Sequence, residues 1–317
     1  MLFDLKIVLG TLNNYILGIT NIKLLEVYMN TNLMYTPQDI KGQTQPMPGK
    51  EDEMNPQPIY DDVNCKGYGR LKGKIAIITG GDSGIGRAVA VSYAKEGCNV
   101  AIVYNIADDD ANDTKMAIES YGGTAVLIKG NLKDSNFCKE VVDKTIKQFG
   151  SLDIIVNNAA IQNPQTNFED ITDEQLDDTF RTNIYAMFYL TRAAMPYLKE
   201  GSSIINTSSV TAFKGSKDLV DYSAAKGAVT SFTRSLSQNL ADKKIRVNQV
   251  APGPIWTPLI PSTFDKLKVG TFGKNTPLKR PGQPVELAEA YVYLATDSSS
   301  YMTGQTIHIN GGDIVNG

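Results

Sequence analysis

Two short patterns in this chain of 317 residues carry chemical potential. The first is Tyr222-x-x-x-Lys226. At i and i+4 the two side chains share one helix face. A free tyrosine, with a pKa near ~10, is a poor base at neutral pH. A neighbouring ammonium stabilises tyrosinate, lowers that pKa and lets the phenol exchange a proton with an alcohol or a carbonyl. The second pattern is the turn Gly80-Gly81-Asp82-Ser83-Gly84-Ile85-Gly86. Glycines there permit a tight turn, close backbone approach to a pyrophosphate and close helix–strand packing. The spacing, T-G-x-x-x-G-x-G, differs from G-x-G-x-x-G and lacks the Lys-Ser/Thr ending of a P-loop.

The elements that must position these residues follow from the apolar pattern. From Leu71 onward, β-rich runs alternate with helical patterns. Strands are predicted at Lys74–Thr79, Val100–Tyr104, Ala125–Lys129, Leu152–Asn157, Ser203–Thr207, Arg246–Val250 and Thr306–Ile309. Helices are predicted at Ile85–Glu96, Asp109–Ser120, Ser135–Phe149, Asp173–Leu198, Leu219–Leu240 and Val285–Ala295. Such alternation implies an α/β fold: a Rossmann-type doubly wound, seven-stranded parallel sheet with helices on both faces. The glycine turn joins the first strand to the first helix, whose N-terminal N–H groups favour phosphate.

An N-terminal extension and Pro-rich arm, residues 1–70, precede the single catalytic domain expected at 71–317. The uncharged run Ile7–Ile22 contains three asparagines and is shorter than the ~20 residues of a spanning helix. It also lacks signal-peptide features, so no membrane partner is expected, and translation starting at Met29 is an open alternative. Pro37, Pro46, Pro48, Pro56 and Pro58 oppose helix and sheet and favour an extended arm. Met47, Met54, Ile59 and Tyr60 are its candidate anchors, beside a charged patch at 50–53. The arm is expected to add stability, not chemistry.

Composition excludes several function classes. His308 is the single histidine, so a metal site built on paired histidines is impossible and no metal is expected. Gly81-Asp82-Ser83-Gly84 imitates a serine-protease nucleophile region, but the base is missing, because His308 lies in the last strand pattern. Cys65, Cys98 and Cys138 show no C-x-x-C pairing and suit a reducing, cytoplasmic setting. A net charge of −3 gives no footprint for nucleic acid.

The ordered set Thr79–Gly86, Asn157-Asn158-Ala159-Ala160, Ser209, Tyr222-x-x-x-Lys226, Pro252-Gly253, Thr303-Gly304-Gln305 and Asn310-Gly311-Gly312 resembles the short-chain dehydrogenase/reductase family over residues 71–317. Gly81-Asp82-Ser83-Gly84, Ile255-Trp256-Thr257-Pro258 and the Pro-rich arm resemble a bacterial branch named for general-stress oxidoreductases. The resemblance implies an NAD(P)-dependent oxidoreductase moving hydride between nicotinamide and a small or medium alcohol or carbonyl. Its implied catalytic residues are Asn183, Ser209, Tyr222 and Lys226. Tyr222 is acid/base, Ser209 orients the substrate oxygen with Ser208 as its alternative, Lys226 also holds the nicotinamide ribose, and Asn183 holds a relay water. Asn183 could equally mark a helix irregularity.

The implied cofactor contacts run along the strand ends. They are Gly80, Asp82, Ser83, Gly84, Ile85 and Gly86 in the first turn, then Tyr104 and Asn105, then Asn131 and Leu132. Asn158 and Ala159 follow, then Tyr222 and Lys226, then Pro252, Gly253, Ile255 and Thr257. The second strand ends at Asn105 without the acid that binds an adenosine 2′-hydroxyl, which tilts the reading from NAD toward NADP. Asp82 argues against NADP, and Arg87 is the nearest cation in sequence. Asn131 and Ala160 depart from the family's usual aspartate and glycine. The segment Ile255 to about Asn275 resembles a mobile substrate lid with an apolar face, with Trp256 either lining or packing. A homotetramer built on the two long helices is implied. The competing reading is a cofactor-binding regulatory or structural protein on the same fold, disfavoured by the intact Tyr–Lys pair. An epimerase or dehydratase is disfavoured by the glycine spacing.

Overall fold

The computed structural model describes residues 40–313. The expectations for 1–28, Met29 and Pro37 lie outside the described residues. β1 (Ile75–Thr79) is apolar throughout its first four residues, and all five are buried. Such a run suits the middle of a parallel sheet covered on both faces. It pairs in parallel with β2 (Asn99–Tyr104) and β4 (Ile154–Asn157), so that Ile77 lies between Ala101 and Ile155. With β3 (Ala125–Lys129), β5 (Ser203–Thr207), β6 (Arg246–Pro252) and β7 (Thr306–Ile309) they form a seven-stranded parallel sheet in the order β3-β2-β1-β4-β5-β6-β7.

The helices are α1 (Gly84–Lys95), α2 (Asp108–Ser120), α3 (Ser135–Phe149), α4 (Asp173–Phe180), α5 (Ala186–Ala194), α6 (Thr211–Lys214), α7 (Val220–Asn239), α8 (Lys266–Gly270) and α9 (Val285–Ala295). Successive strand residues feed opposite layers. Ala76, Ile78, Val100 and Ile102 pack with Val89 and Tyr93 of α1 and Leu287 and Tyr291 of α9. Ile77, Ala101, Val103 and Ile155 pack with Val141 of α3 and Leu190 of α5. Each such buried branched side chain is worth about 1.5–3 kcal/mol, which is why the strands read so clearly in sequence. The strand order reverses between β1 and β4, and this opens a crevice at the carboxyl edge.

One predicted helix differs. Asp173–Leu198 is interrupted by a π-helical segment, Arg181–Tyr185, between α4 and α5. Asn183 sits inside this irregularity, a placement common near functional sites.

The arm lies against the body of its own chain. Ile40 and Met54 are buried with Trp256, Ile260, Phe264 and Val269. The Gln45 N–H donates to the Pro261 carbonyl at 2.8 Å. Farther along, Asp61 pairs with Lys95 of α1, and Arg70 bridges Glu96 and Glu289. Of the other expected anchors, Ile59 and Tyr60 are half-buried and Met47 is 45% exposed.

Candidate active site

The carboxyl ends of the strands surround a cavity of about 770 Å³. Its floor is a cross-linked pair of turns. Thr79 Oγ1 accepts the N–H groups of Asn158 at 2.9 Å and Ala159 at 3.1 Å. Asn158 Nδ2 in return donates to the Thr79 and Gly80 carbonyls, both at 3.2 Å. Asp82, Ser83, Gly84 and Ile85 line the cavity, as do Gly80, Asn158 and Ala159. Gly86, expected as a cofactor contact, does not line it. A Cβ there would lie 1.8 Å from the Gly80 carbonyl oxygen, so Gly86 serves the close approach of helix to turn. Burial pushes the Asp82 carboxyl up to about 6.

At the other end, α7 brings Tyr222 and Lys226 to the cavity wall. Lys226 is 0% exposed, and its Nζ donates to the Thr207 carbonyl at 2.8 Å and lies 5.6 Å from the Tyr222 ring centre. Ser209, following β5, lines the same cavity as Tyr222, and its hydroxyl accepts from Thr211 Oγ1 at 3.0 Å. Ser208 faces elsewhere for bonding: its hydroxyl donates to the Lys226 carbonyl at 3.2 Å. The expected lowering of the tyrosine pKa is not what the structure gives. Burial pushes Tyr222 up to about 12, outweighing the lowering by the nearby Ser209 hydroxyl, and burial drives Lys226 down to about 7. Desolvation disfavours charge on both groups.

Asn183 does not line the cavity. Its amide makes a reciprocal pair with Ile161, receiving the backbone N–H at 3.1 Å and donating to the carbonyl at 2.9 Å. The side chain thus fixes the loop after β4, where Ala160 and Ile161 do line the cavity. Its relay role rests on the resemblance alone.

Between these ends, Tyr104, Asn105, Asn131 and Leu132 form one wall, and Pro252, Gly253, Ile255 and Thr257 the other. The Tyr104 hydroxyl donates to Asp108 at 2.9 Å. Arg87 is not available beside Asn105. It is buried and pairs with Glu51 at 2.9 Å and Asp110 at 3.3 Å. In the segment after β6, Leu259, Ile260, Phe264 and Phe272 line the cavity. Trp256 is fully buried as a packing residue, and Leu267 is 84% exposed.

Sequence reasoning missed the arm's share. Met47, Pro48 and Gly49 line the cavity, and Glu51 of the charged patch is buried. No local pattern distinguishes Glu51 from its exposed neighbours Asp52 and Glu53. Only the flanking glycine and prolines hinted at a tightly seated segment.

The site has the shape and chemistry for a nicotinamide dinucleotide. A Cβ on Gly84, whose φ is +53°, would meet Thr257 Cγ2 at 3.0 Å, so the turn closes against the opposite wall only with glycine there. The cavity connects this turn with Tyr222 and Ser209. Comparison with known proteins agrees. A family model described as enoyl-(acyl carrier protein) reductase matches residues 80–313. General stress protein 39 of Bacillus subtilis (strain 168) is 55% identical over 280 residues, covering 88% of this chain and 98% of that protein. NADPH-dependent aldehyde reductase 1, chloroplastic, of Arabidopsis thaliana is 48% identical over 276 residues, covering 85% and 96%. A crystal structure of a short chain dehydrogenase from Burkholderia cenocepacia J2315 in complex with NADP superposes with a TM-score of 0.73 at 30% identity, covering 77% and 99%. The chain belongs to the short-chain dehydrogenase/reductase family of oxidoreductases. Among the described residues, no group of three or more His, Cys, Asp or Glu could hold a metal, and no helix is long and apolar enough to cross a membrane.

Proposed function

We propose that the protein is an NADP-preferring oxidoreductase that interconverts a small or medium alcohol and its carbonyl, with Tyr222 moving the proton. The observation that carries this reading is that Tyr222, Ser209 and Lys226 line one cavity with the Gly80–Ile85 turn. Ser83 to Ile85 would hold the pyrophosphate, Tyr104 and Asn105 the adenosine end, and Lys226 the nicotinamide ribose. When bound, the dinucleotide supplies or takes up the hydride.

In reduction, Ser209 donates a hydrogen bond to the substrate carbonyl oxygen as charge develops there. The hydride adds to the carbonyl carbon, the C=O π pair moves to oxygen, and Tyr222 gives that oxygen its phenolic proton. Oxidation reverses each step. Burial keeps the Tyr222 phenol protonated at neutral pH, so the proton that reduction needs is present on it. The apolar lid residues Leu259, Ile260, Phe264 and Phe272 favour an uncharged substrate over a highly charged one.

The preference for NADP rests on the β2 tip, where Asn105 presents no acid to repel a 2′-phosphate. A relative named for NADPH dependence supports it. A symmetric homotetramer is part of the same reading. Tyr185 and Phe188, 41% and 50% exposed, border the α5–α7 face, where the Phe188 and Phe232 rings lie 4.3 Å apart. Free, buried Cys98 and Cys138 fit a cytoplasmic setting.

The test is a panel of aldehydes, ketones and alcohols with NADP(H) and NAD(H), following absorbance of the reduced nicotinamide. Tyr222→Phe should lower turnover about 10²–10⁴-fold while NADPH binding persists. Near-normal turnover of that variant would overturn the assignment. Light scattering that showed a monomer at micromolar concentration would overturn the tetramer.

A further inference from the structure

The first turn of α1 lacks its ordinary local cap. Ser83 stands at the N-cap position, but its side chain makes no capping hydrogen bond. The first N–H groups of a helix need partners from elsewhere. Here one comes from the arm. Glu51, only 3% exposed, accepts the Gly84 N–H on Oε2 at 2.6 Å. Its other oxygen, Oε1, accepts from Arg87 Nη1 at 2.9 Å. Arg87 then donates from Nε to the Asp82 carbonyl at 3.0 Å. The Glu51–Arg87 pair therefore grips the turn on both sides of Ser83, at the Asp82 carbonyl and at the Gly84 N–H.

A lone buried carboxylate would be costly. The Arg87 guanidinium and the Gly84 N–H offset part of that cost, but burial outweighs them and pushes the Glu51 carboxyl up to about 7. Tyr60, also from the arm, places its ring 5.2 Å from the Arg87 guanidinium carbon. The backbone N–H of Glu51 donates to Asp110 Oδ2 at 3.2 Å, which fixes the approach of the residue itself. Gly49 sets where the segment enters: a Cβ there would lie 2.5 Å from the Pro258 carbonyl oxygen. Glu51 does not line the cavity, whereas Asp82, Ser83 and Gly84 do.

We infer that Glu51 is a positioning residue for the cofactor, clamping the Asp82–Gly84 turn through Gly84 and Arg87 in the shape that receives the pyrophosphate. The inference rests on the nicotinamide-dinucleotide reading above. It gives the arm a part in cofactor affinity beyond the stability expected of it.

The test titrates the full chain with NADPH, following nicotinamide fluorescence, and measures KM and kcat on a verified substrate. Glu51→Gln keeps an acceptor for Gly84 and the side-chain volume but removes the charge facing Arg87; Glu51→Ala removes both contacts. Asp61→Ala loosens the arm at Lys95 without touching the turn. Glu51→Gln and Glu51→Ala should raise the Kd and KM for NADPH about tenfold or more, the size of a lost charge-assisted hydrogen bond, with kcat at saturation nearly unchanged. Asp61→Ala should lower Tm and leave the NADPH Kd at the wild-type value. Should Glu51→Ala fail to fold, the isosteric Glu51→Gln decides alone. Wild-type affinity in Glu51→Gln, or equal weakening by Asp61→Ala, would overturn the clamp. A wild-type protein that bound neither NADPH nor NADH would overturn the cofactor reading first, and the clamp with it.

Discussion

Trp256, in the segment after β6, donates its indole N–H to the Pro56 carbonyl of the arm at 2.8 Å, with the ring fully buried. Two segments 200 residues apart in sequence are thereby tied together. Trp256→Phe keeps an aromatic ring but leaves the Pro56 carbonyl without this donor and a space beside Ile40 and Met54. The expected loss is about 1–3 kcal/mol. For a chain of this size, each kcal/mol lowers Tm by about 2–4 °C, read by circular dichroism because the single tryptophan is gone. An unchanged Tm would show that the arm and the segment after β6 are not coupled through this bond.

Gly86→Ala tests the packing of turn against helix. The added methyl meets the Gly80 carbonyl oxygen at 1.8 Å and Asn158 Nδ2 at 2.8 Å, both parts of the locked turn pair. Neither can retreat without breaking the Asn158 bonds to Thr79 and Gly80. Overpacking of this kind costs about 1–3 kcal/mol, and the distorted turn should also lose NADPH affinity. Calorimetry and a binding titration check both effects.

The two adjacent serines should separate cleanly. Ser209→Ala removes the hydroxyl that would hold the substrate oxygen beside Tyr222, and kcat should fall about 10²–10³-fold, as for one oxyanion donor. Ser208→Ala removes a bond to the Lys226 carbonyl and should leave turnover within a few-fold of wild type. The reverse order of effects would hand the orienting role to Ser208.

Lys226 predicts a pH dependence of stability. Burial drives its folded-state pKa down to about 7, whereas the unfolded chain titrates near the ordinary lysine value of 10.5. Between these values the unfolded state binds more protons, so rising pH favours the folded state. Without cofactor, wild-type stability relative to Lys226→Met should climb from pH 7 to 10, at a slope of at most about 1.4 kcal/mol per pH unit. Tyr222, pushed up to about 12 from 10, begins to oppose this only above that window. Urea unfolding at pH 7, 8 and 9 measures the slope. A flat difference would mean that Lys226 stays charged in the folded protein.

The sequence by itself determined the order of strands and helices, the glycine turn after β1 and the shared helix face of Tyr222 and Lys226. These are local properties. Residue spacing sets which face a side chain occupies, and buried branched runs set where strands lie. It also placed Ser209 beside the site, because Ser209 lies two residues past the C-terminus of β5. Only the tertiary structure decided that Glu51 is buried under α1 while its neighbours are exposed, and that Trp256 packs on the arm. It likewise decided that Arg87 is engaged by Glu51 and Asp110 and that Asn183 braces Ile161 from within a π-helical segment. Burial rather than the Tyr–Lys spacing set the direction of both pKa shifts. Partners tens to hundreds of residues away decide such outcomes, and charge and hydrogen bonding in a desolvated site depend on who those partners are, not on the residue's own segment.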